Sequence, residues 1–323
     1  MGISVIISAY NRKEYIKNAI DSVALQEHNG FDVEIIVITN FKDENVAIQC
    51  SKVGARYCVL QDGGMGLYLH YGITLAKYDI ISFLDDDDLF CPGKLKEIYT
   101  IFSANPDVGY LHNRFKSADL PESNISSYLY LNGKNPMADR IRIMMTKGNW
   151  ENLSSVSIRK TKYIEYIRTL PRLVTIPDLF FVMVTIDSNI TAVISDRQLT
   201  KYLFHESESH ILRGENLYSR KDELLRKYTS SMKVIMEVLR NKETLNYMQA
   251  SLAHNIILKN CIGYDYEKVS VLKLVSYAFR GIKYTGSKGL VDILQAIFYV
   301  VFPSYMRNRT MAYISRTAKI DSS

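Results

Sequence analysis

Apolar and polar positions follow two alternating periods along the first part of the chain. Short, mostly apolar runs alternate with stretches in which apolar residues recur at helical spacing. The first four runs are Ile3 to Ser8, Val33 to Ile38, Ala55 to Leu60 and Asp79 to Leu84. Because strands that alternate with helices pair in parallel and are covered on both faces, the pattern predicts an α/β fold with a parallel sheet flanked by helices.

Helical spacing follows each of these four runs. The helices that it predicts are Tyr15 to Ala24, Glu44 to Lys52, Tyr68 to Ala76 and Lys94 to Phe102. Further along, we expect strands at Val108 to His112 and Asn152 to Arg159, and helices at Thr161 to Thr169 and Asp178 to Ile186. The segment Lys116 to Pro136 is rich in Ser, Asn, Pro and Gly, which indicates a loop or a hairpin rim.

Beyond about residue 215 the pattern changes to long helices, with Arg220 to Leu239 and Glu243 to Lys259 as candidates. We therefore predict two regions, an α/β domain over residues 1–215 and a helical region over residues 216–323. The apolar segment 289–303 is too short and too polar to span a bilayer. Two alternatives stay open for it: an interfacial helix with basic flanks, or a buried helix that completes the core.

The composition is that of a folded protein, with 47% hydrophobic and 23% charged residues. The net charge of +6 is compatible with anionic partners but too small to argue for nucleic acid, so no nucleic-acid partner is expected. The four cysteines have no paired spacing, so the sequence indicates neither a zinc knuckle nor a disulfide scaffold. The chain enters a strand pattern at once, without a secretory signature, and we expect a cytoplasmic protein or one at the cytoplasmic face of the membrane.

Four consecutive aspartates, Asp85 to Asp88, come directly after the fourth apolar run. So much like charge in one place is costly unless a cation offsets it, and carboxylate oxygens favour magnesium or manganese. Ligands of open α/β sheets bind outside the carboxyl ends of strands, which is where this run falls. The alternative is a solvated acidic loop. The position of the run at the end of a predicted buried strand favours the metal site.

Two stretches resemble motifs of family 2 glycosyltransferases of the GT-A fold. One is Ser4 to Arg12 together with the helical residues Tyr15 to Gln26, and the other is Leu84 to Asp88 with Pro92 and Leu95. The resemblance covers roughly residues 1–210. It implies a GT-A, Rossmann-like, mostly parallel sheet flanked by helices, with a helical extension after it. It also implies inverting, metal-assisted transfer of a hexose from GDP-mannose or a UDP-hexose to a hydroxyl or phosphate of a glycan or lipid-linked acceptor.

The resemblance assigns the donor site to particular residues. The loop at Ala9, Tyr10 and Asn11 would contact the base and ribose, and Asn40 would stand where the family reads the base. Asp85 would face the ribose and the donor sugar, with Asp86 in the same donor site. Asp87 would hold Mn²⁺ or Mg²⁺ and Asp88 would assist, with the register inside the run open by one residue. Because Asn40 replaces the usual acidic residue, the base is left open.

The acceptor side carries the remaining assignments. Asp178 matches the position of the family's general base, although a helix N-cap is the alternative. Ser154 and Ser155 fall where the family lines the sugar and acceptor cleft, and His205 would meet the metal or diphosphate or else be structural. The basic, partly apolar C-terminal region suggests a peripheral membrane contact. The rival functions are a nucleotidyltransferase and an inactive glycan-binding or nucleotide-binding relative.

Overall fold

The computed structural model describes residues 1–61, 63–116, 127–146, 152–203, 217–262, 270–285 and 302–320, with residues 291, 293, 294, 297 and 298. The chain divides into two compact units, Met1–Phe204 and His205–Ser323. The sequence predicted a change of architecture close to this boundary, at residue 215. The assignment of a separate role to each unit stays a prediction.

The first half of unit 1 is a parallel sheet. Its strands are β1 (Gly2–Ala9), β2 (Asp32–Thr39), β3 (Arg56–Val59) and β4 (Ile80–Asp85), in the order β3-β2-β1-β4. Ile3 of the central strand pairs with Val33 on one side and with Ile80 on the other. The carboxyl ends of β1, β2 and β4 therefore lie at one edge of the sheet.

Helices cover both faces of these strands. They are α1 (Ile16–Ala24), α2 (Glu44–Val53), α3 (Met65–Leu75) and α4 (Lys94–Ala104). Ile3, Val5 and Ile7 belong to one buried cluster with residues of α1, α2 and α4. On the other face, α3 approaches so closely that a Cβ at Gly72 would lie 2.7 Å from Cγ2 of Ile6. Alternate residues of β1 thus face opposite helix layers, as the two-residue period of a strand requires.

The second half of unit 1 continues the sheet with mixed pairing. Its elements are β5 (Leu89–Phe90), β6 (Val108–Lys116), β7 (Tyr128–Leu131), α5 (Met137–Thr146), β8 (Val156–Arg159), α6 (Ile164–Ile167), α7 (Pro177–Asp187) and β9 (Thr191–Lys201). The sheet runs on from β4 as β8-β6-β9-β5, and β7 also pairs with β9. β8 is antiparallel to both β4 and β6, whereas β6 and β9 are parallel. The predicted parallel sheet is therefore parallel over β1 to β4 and mixed beyond them.

Several later elements differ from the predicted ones. The predicted strand Asn152 to Arg159 begins with a 3-10 turn, Leu153–Ser155, and only Val156–Arg159 is extended. The helix predicted at Thr161 to Thr169 is reduced to α6. The sequence did not predict β5 or β9. Of the segment Lys116 to Pro136, residues 117–126 lie outside the described residues, and the described part contains β7.

A buried arginine closes the C-terminal end of α7. The guanidinium of Arg140, on α5, donates hydrogen bonds to the carbonyl oxygens of Thr185 at 3.0 Å, Ile186 at 3.1 Å and Ile190 at 2.8 Å. The last carbonyls of a helix have no partner within the helix, and here the guanidinium adds to the backbone N–H groups of Ile190 and Asn189, which also donate to Thr185 and Ile186. The N-terminal end of α7 packs on β4, where the ring centroids of Phe83 and Phe181 are 5.0 Å apart.

The described part of unit 2 is helical. Its helices are α8 (Leu217–Val238), α9 (Lys242–Ile262), α10 (Val271–Thr285) and α11 (Pro303–Ile320). The first two confirm the helices predicted at Arg220 to Leu239 and Glu243 to Lys259, whereas α10 and α11 were not predicted. Of the segment 289–303, only part lies within the described residues. Among the helices that are described, none combines the length and apolar character needed to cross a bilayer.

Candidate active site

Three carboxylates converge where β4 ends. Asp85 is the last residue of β4, and a tight turn follows in which the backbone N–H of Asp88 donates to the carbonyl oxygen of Asp85 at 3.2 Å. One carboxylate oxygen from each of Asp85, Asp87 and Asp88 lies within 4.8 Å of the others. A strand that runs into a turn of aspartates therefore places three hard oxygen donors around one point.

Burial and mutual repulsion make these carboxylates hard to ionise together. Burial, followed by the charges of Asp87 and Asp88, holds the pKa of Asp85 well above its ordinary value. Burial also raises the pKa of Asp86 to about 6 and that of Asp88 to about 7. A buried group prefers its neutral form, and a second negative charge nearby adds to that preference. Several of these carboxylates can therefore be ionised together only if positive charge lies nearby.

Arg12 supplies part of that positive charge. Its guanidinium lies 2.7 Å from Oδ1 of Asp86 and 2.5 Å from Oδ2 of Asp87. Sequence reasoning did not include Arg12 in the site. The available signal was its place in the loop after β1, because β1 and β4 are neighbours in a parallel sheet and their following loops meet.

Ser154 supports the acidic turn, which is formed by Asp85 to Asp88. Its Oγ accepts a hydrogen bond from the backbone N–H of Asp85 at 3.0 Å, and its hydroxyl is close enough to Asp88 to oppose the rise in the pKa of that carboxyl. Ser155 lies beside it, with Oγ 3.2 Å from Oγ1 of Thr200. Both serines are fully buried, so their visible role is to support the aspartates. A direct contact of either serine with a sugar or acceptor stays a prediction.

A buried lysine contacts Ser154 and so helps to stabilise the acidic turn. Nζ of Lys94, on α4, donates to the carbonyl oxygen of Ser154 at 2.5 Å and to Oγ1 of Thr200 at 2.8 Å. It also lies 4.1 Å from the ring centroid of Phe90. Burial lowers the pKa of Lys94 to about 7. Sequence reasoning did not single out this residue, since a lysine in the first turn of a helix gives no sign of burial.

Two asparagines join the loops that follow β1 and β2. The backbone N–H of Asn11 donates to Oδ1 of Asn40 at 2.8 Å, and Nδ2 of Asn40 donates to Oδ1 of Asn11 at 2.6 Å. Asn11 adopts a left-handed backbone, with φ of 59°. Ala9 is buried at the end of β1, and Tyr10 is 46% exposed beside Tyr68, their ring centroids 6.1 Å apart. All the residues predicted to contact the base thus lie at one edge of the sheet.

Asp178 lies near the cluster, in the first turn of α7. Its charge contributes to the raised pKa of Asp85. Its Oδ1 accepts a hydrogen bond from the backbone N–H of Leu179 at 2.8 Å. The alternative that Asp178 is the N-cap of this helix is wrong, because α7 begins at Pro177 and the cap position is occupied by Ile176. A carboxylate in the first helical turn is still favoured by the helix dipole.

The backbone before Asp178 is strained. Ile176 has φ of 54°, a left-handed conformation that a β-branched residue rarely adopts. Such conformations cost on the order of 1–3 kcal/mol and persist only where the surrounding structure imposes them. Asn11 and Asn152, which flank the acidic run from other loops, also have positive φ. Strain of this kind is common around functional sites.

The chain after β9 returns to the cluster. The backbone N–H of Leu203 approaches Oδ1 of Asp88 at 3.4 Å. Burial, followed by the charges of Asp88 and Asp87, raises the pKa of Tyr202 to about 12. His205, predicted to meet the metal or diphosphate, lies outside the described residues, and its assignment stays a prediction.

The donor set fits a divalent cation that prefers oxygen. Asp85, Asp87 and Asp88 offer three converging carboxylates, and carboxylate oxygens are ligands that Mg²⁺ and Mn²⁺ prefer. Beside them, Oδ2 of Asp86 is buried and has no hydrogen-bond partner among the described residues. Asp87 and Asp88, the predicted ligands, are thus both within the cluster, and Asp85 joins them.

Comparison with known proteins identifies the family. Residues 4–164 match the model described as glycosyl transferase family 2. An uncharacterized glycosyltransferase of Nostoc sp. is 34% identical over 119 residues, which are 35% of this chain and 36% of that protein. The minor teichoic acid biosynthesis protein GgaB of Bacillus subtilis is 28% identical over 105 residues, 31% of this chain and 12% of GgaB. Both matches span well under half of the relatives' own length.

Solved structures share the fold. A crystal structure of S. aureus TarS, residues 1–349, has a TM-score of 0.55 at 13% identity and covers 100% of this chain and 91% of that one. Its complex with UDP-GlcNAc has a TM-score of 0.52 at 14% identity and covers 89% of this chain and 92% of that one. The expected GT-A architecture with a helical C-terminal region is confirmed. The family match over residues 4–164 and this shared fold make the chain a member of glycosyl transferase family 2.

Proposed function

We propose that the protein transfers a hexose from a nucleotide-diphosphate sugar to a hydroxyl or phosphate of a glycan or lipid-linked acceptor, with inversion at the sugar. The observation that carries the proposal is the convergence of Asp85, Asp87 and Asp88 at the end of β4, with Asp178 close enough to act on the charge of Asp85. One edge of the sheet thus offers oxygen ligands for a cation and, near them, a further carboxylate. These are the groups that metal-assisted displacement of a diphosphate needs.

The base and ribose would bind at Ala9, Tyr10, Asn11 and Asn40. Tyr10 offers an exposed ring for stacking, and the amides of the asparagine pair can both donate and accept hydrogen bonds. S. aureus TarS has been crystallised with UDP and with UDP-GlcNAc. This supports placing UDP-hexoses first among the donors, with GDP-mannose as the other candidate.

The diphosphate would bind beside the acidic turn. Asp85, Asp87 and Asp88 would hold Mn²⁺ or Mg²⁺, and Asp86 would complete the donor site. A divalent cation bound there neutralises the charge that builds on the departing diphosphate. Ser154 keeps the turn in position by accepting the backbone N–H of Asp85, and Lys94 in turn donates to the carbonyl of Ser154.

Asp178 would act as the general base. In a direct displacement, the acceptor oxygen bonds the anomeric carbon as the bond to the diphosphate breaks, and the acceptor proton passes to a carboxylate. Asp178 is partly exposed in the first turn of α7, near the cluster but outside the acidic turn. This position supports a role for Asp178 in accepting the proton of the acceptor.

Release of nucleoside diphosphate from a panel of UDP- and GDP-sugars, with Mn²⁺ or Mg²⁺ and with EDTA, tests the proposal. We expect turnover with one donor in the presence of metal. Asp178→Asn should lower kcat by about 10²- to 10⁴-fold, the usual contribution of a general base, while donor affinity is retained. Asp87→Asn should instead weaken metal-dependent donor binding.

Asp139→Asn is the matched control, because Asp139 is an exposed carboxylate on α5 that pairs with Arg142 at 3.1 Å. It should leave kcat unchanged. Release of pyrophosphate from a nucleoside triphosphate and a sugar phosphate would favour a nucleotidyltransferase. Metal-dependent nucleotide binding without transfer, together with no effect of Asp178→Asn, would favour an inactive binding relative.

We further propose that unit 2 contacts an anionic membrane surface. Exposed apolar side chains recur at helical spacing at Val291, Leu294, Phe298, Phe302 and Tyr305. The backbone N–H groups of Phe302 and Met306 donate to the carbonyls of Phe298 and Phe302, at 2.7 and 3.1 Å, which is the four-residue spacing of an α-helix. Exposed Arg307 and Arg309 follow. An apolar stripe with a basic flank suits an interfacial helix and, with it, a lipid-linked acceptor.

A further inference from the structure

Arg12 pairs with a carboxylate that also belongs to the candidate metal site. The guanidinium lies 2.5 Å from Oδ2 of Asp87 and 2.7 Å from Oδ1 of Asp86. Asp87 is also one of the three residues whose oxygens converge on a common point. The paired side chains of Asp86 and Asp87 are only 3% and 14% exposed, so solvent screens this contact weakly.

The pair has the character of a counter-ion contact. Arg12 bridges two successive aspartates, one through each terminal nitrogen, and so neutralises part of a run that carries four carboxyl groups. Its side chain is 30% exposed, more than those of the aspartates that it holds. The guanidinium therefore lies on the solvent side of the cluster, where it can contact a ligand while the loop after β1 keeps its position.

A cation that binds alone must enter beside this fixed positive charge. Repulsion by the guanidinium and its hold on Asp87 both oppose binding. A diphosphate changes this balance, because its oxygens are strong acceptors for an arginine and can bind both nitrogens of the fork. When donor and cation bind together, the diphosphate pairs with Arg12 and the cation pairs with the carboxylates. Either ligand alone would leave one of these two groups without a partner of opposite charge.

We propose that Arg12 is an internal counter-ion that stands in for the divalent cation in the ligand-free protein and exchanges Asp87 for the donor's diphosphate on binding. This inference rests on the proposed function, since it assumes that a cation and a diphosphate meet at the cluster. Its consequence is that the cation binds weakly alone and more tightly with nucleotide. Because linkage is reciprocal, the nucleotide gains the same factor from the cation.

Titration of the full-length protein with Mn²⁺, followed by electron paramagnetic resonance of free Mn²⁺, tests the exchange. The titration is made alone and with saturating UDP or GDP. In the wild-type protein, nucleotide should tighten the Kd for Mn²⁺ by about 10-fold or more, within the range usual for coupled sites. In Arg12→Gln, Mn²⁺ alone should bind about 10-fold more tightly than in the wild type, and the effect of nucleotide should shrink by a similar factor.

Lys13→Gln is the matched control. Lys13 is the next residue along the chain and carries the same charge, but it pairs with Asp43 at 3.6 Å. It should leave the Kd for Mn²⁺ unchanged. Arg12→Lys keeps the charge but loses the two-nitrogen fork, so we expect it to bind Mn²⁺ alone with a Kd between those of the wild type and Arg12→Gln.

The outcomes separate the inference from the proposed function. An ion pair that only braced the loop would leave Mn²⁺ affinity equal or weaker in both Arg12 variants, and this result would overturn the inference alone. If Arg12→Gln does not fold, the same comparison is made with Arg12→Lys. Failure of the wild type to bind Mn²⁺, with or without nucleotide, would overturn the inference and the metal-assisted function together.

Discussion

The ammonium nitrogen of Lys94 lies 2.5 Å from the carbonyl oxygen of Ser154, and both residues are fully buried. Ser154 in turn accepts the backbone N–H of Asp85. The first turn of α4 is thereby connected to the end of β4 through two hydrogen bonds. The support of the acidic turn is polar and buried, so its stability depends on the charge state of its members.

Lys94 should make stability depend on pH in the alkaline range. Burial lowers its pKa from 10.5 to about 7 in the folded state, so between these values the unfolded chain binds more protons. The free energy of unfolding therefore rises with pH in that window, by up to about 1 kcal/mol per pH unit. Lys94→Met should reduce this slope in urea unfolding measured from pH 7 to 9.5. Lys96→Met, on the exposed side of α4, should keep it, and equal slopes in all three proteins would contradict the prediction.

Asp88 should have the opposite effect at lower pH. Burial raises its pKa from 3.8 to about 7, so the folded state binds more protons between these values and stability falls as pH rises through them. In EDTA, Asp88→Asn should raise the free energy of unfolding at pH 8 by about 1–3 kcal/mol and change it little at pH 4. The asparagine oxygen can still accept the N–H of Leu203. A variant less stable than wild type at pH 8 would show that the charged form is favoured.

Gly66 should not tolerate a side chain. It lies in the first turn of α3, where its N–H donates to the carbonyl of Leu173 at 3.2 Å, and an added Cβ would overlap the carbonyl oxygen of Leu170. Overpacking against backbone costs about 1–3 kcal/mol or more, so Gly66→Ala should lower the urea midpoint accordingly. Gly54→Ala is the control, because it meets only open space and carries only the cost of its left-handed φ of 70°. If the two variants lose equal stability, the close packing of α3 is not what requires glycine.

The apolar stripe of unit 2 should bind vesicles that contain phosphatidylglycerol and not vesicles of pure phosphatidylcholine. Replacing Phe298 and Phe302 together by serine should reduce co-sedimentation with the anionic vesicles by about 10-fold or more, since each buried ring contributes apolar area. Ile48→Ser, at an exposed position on α2, should have no effect. Equal sedimentation of the double variant would contradict the membrane contact.

The parallel half of unit 1 was predictable because its signals are local. Each of its strands is a short, mostly apolar run, and each run is followed by apolar residues at helical spacing. The acidic run was predictable for the same reason, as four aspartates directly after such a strand need no knowledge of distant residues. The family resemblance then assigned separate roles to the members of the run.

The other half was less predictable because its signals are interrupted. β9 carries Asp196 and Arg197 in its middle, and its pairing with β6 shifts register near Asn113 and Arg114. A strand that changes register does not keep a two-residue period, so alternation could not identify it. The roles of Arg12 and Lys94 were missed for another reason. Their partners lie far away in sequence, and only the folded sheet brings them together.

The helix α7 is constrained at both of its ends. Arg140 fixes three carbonyl groups of the segment from Thr185 to Ile190, while Pro177 and the left-handed Ile176 restrict the chain where the helix starts. A helix restrained at both ends can change its orientation only slightly. The fold therefore sets the distance between Asp178 and β4, and this distance does not adjust to each ligand. Acceptors of different size would have to be accommodated by the neighbouring loops.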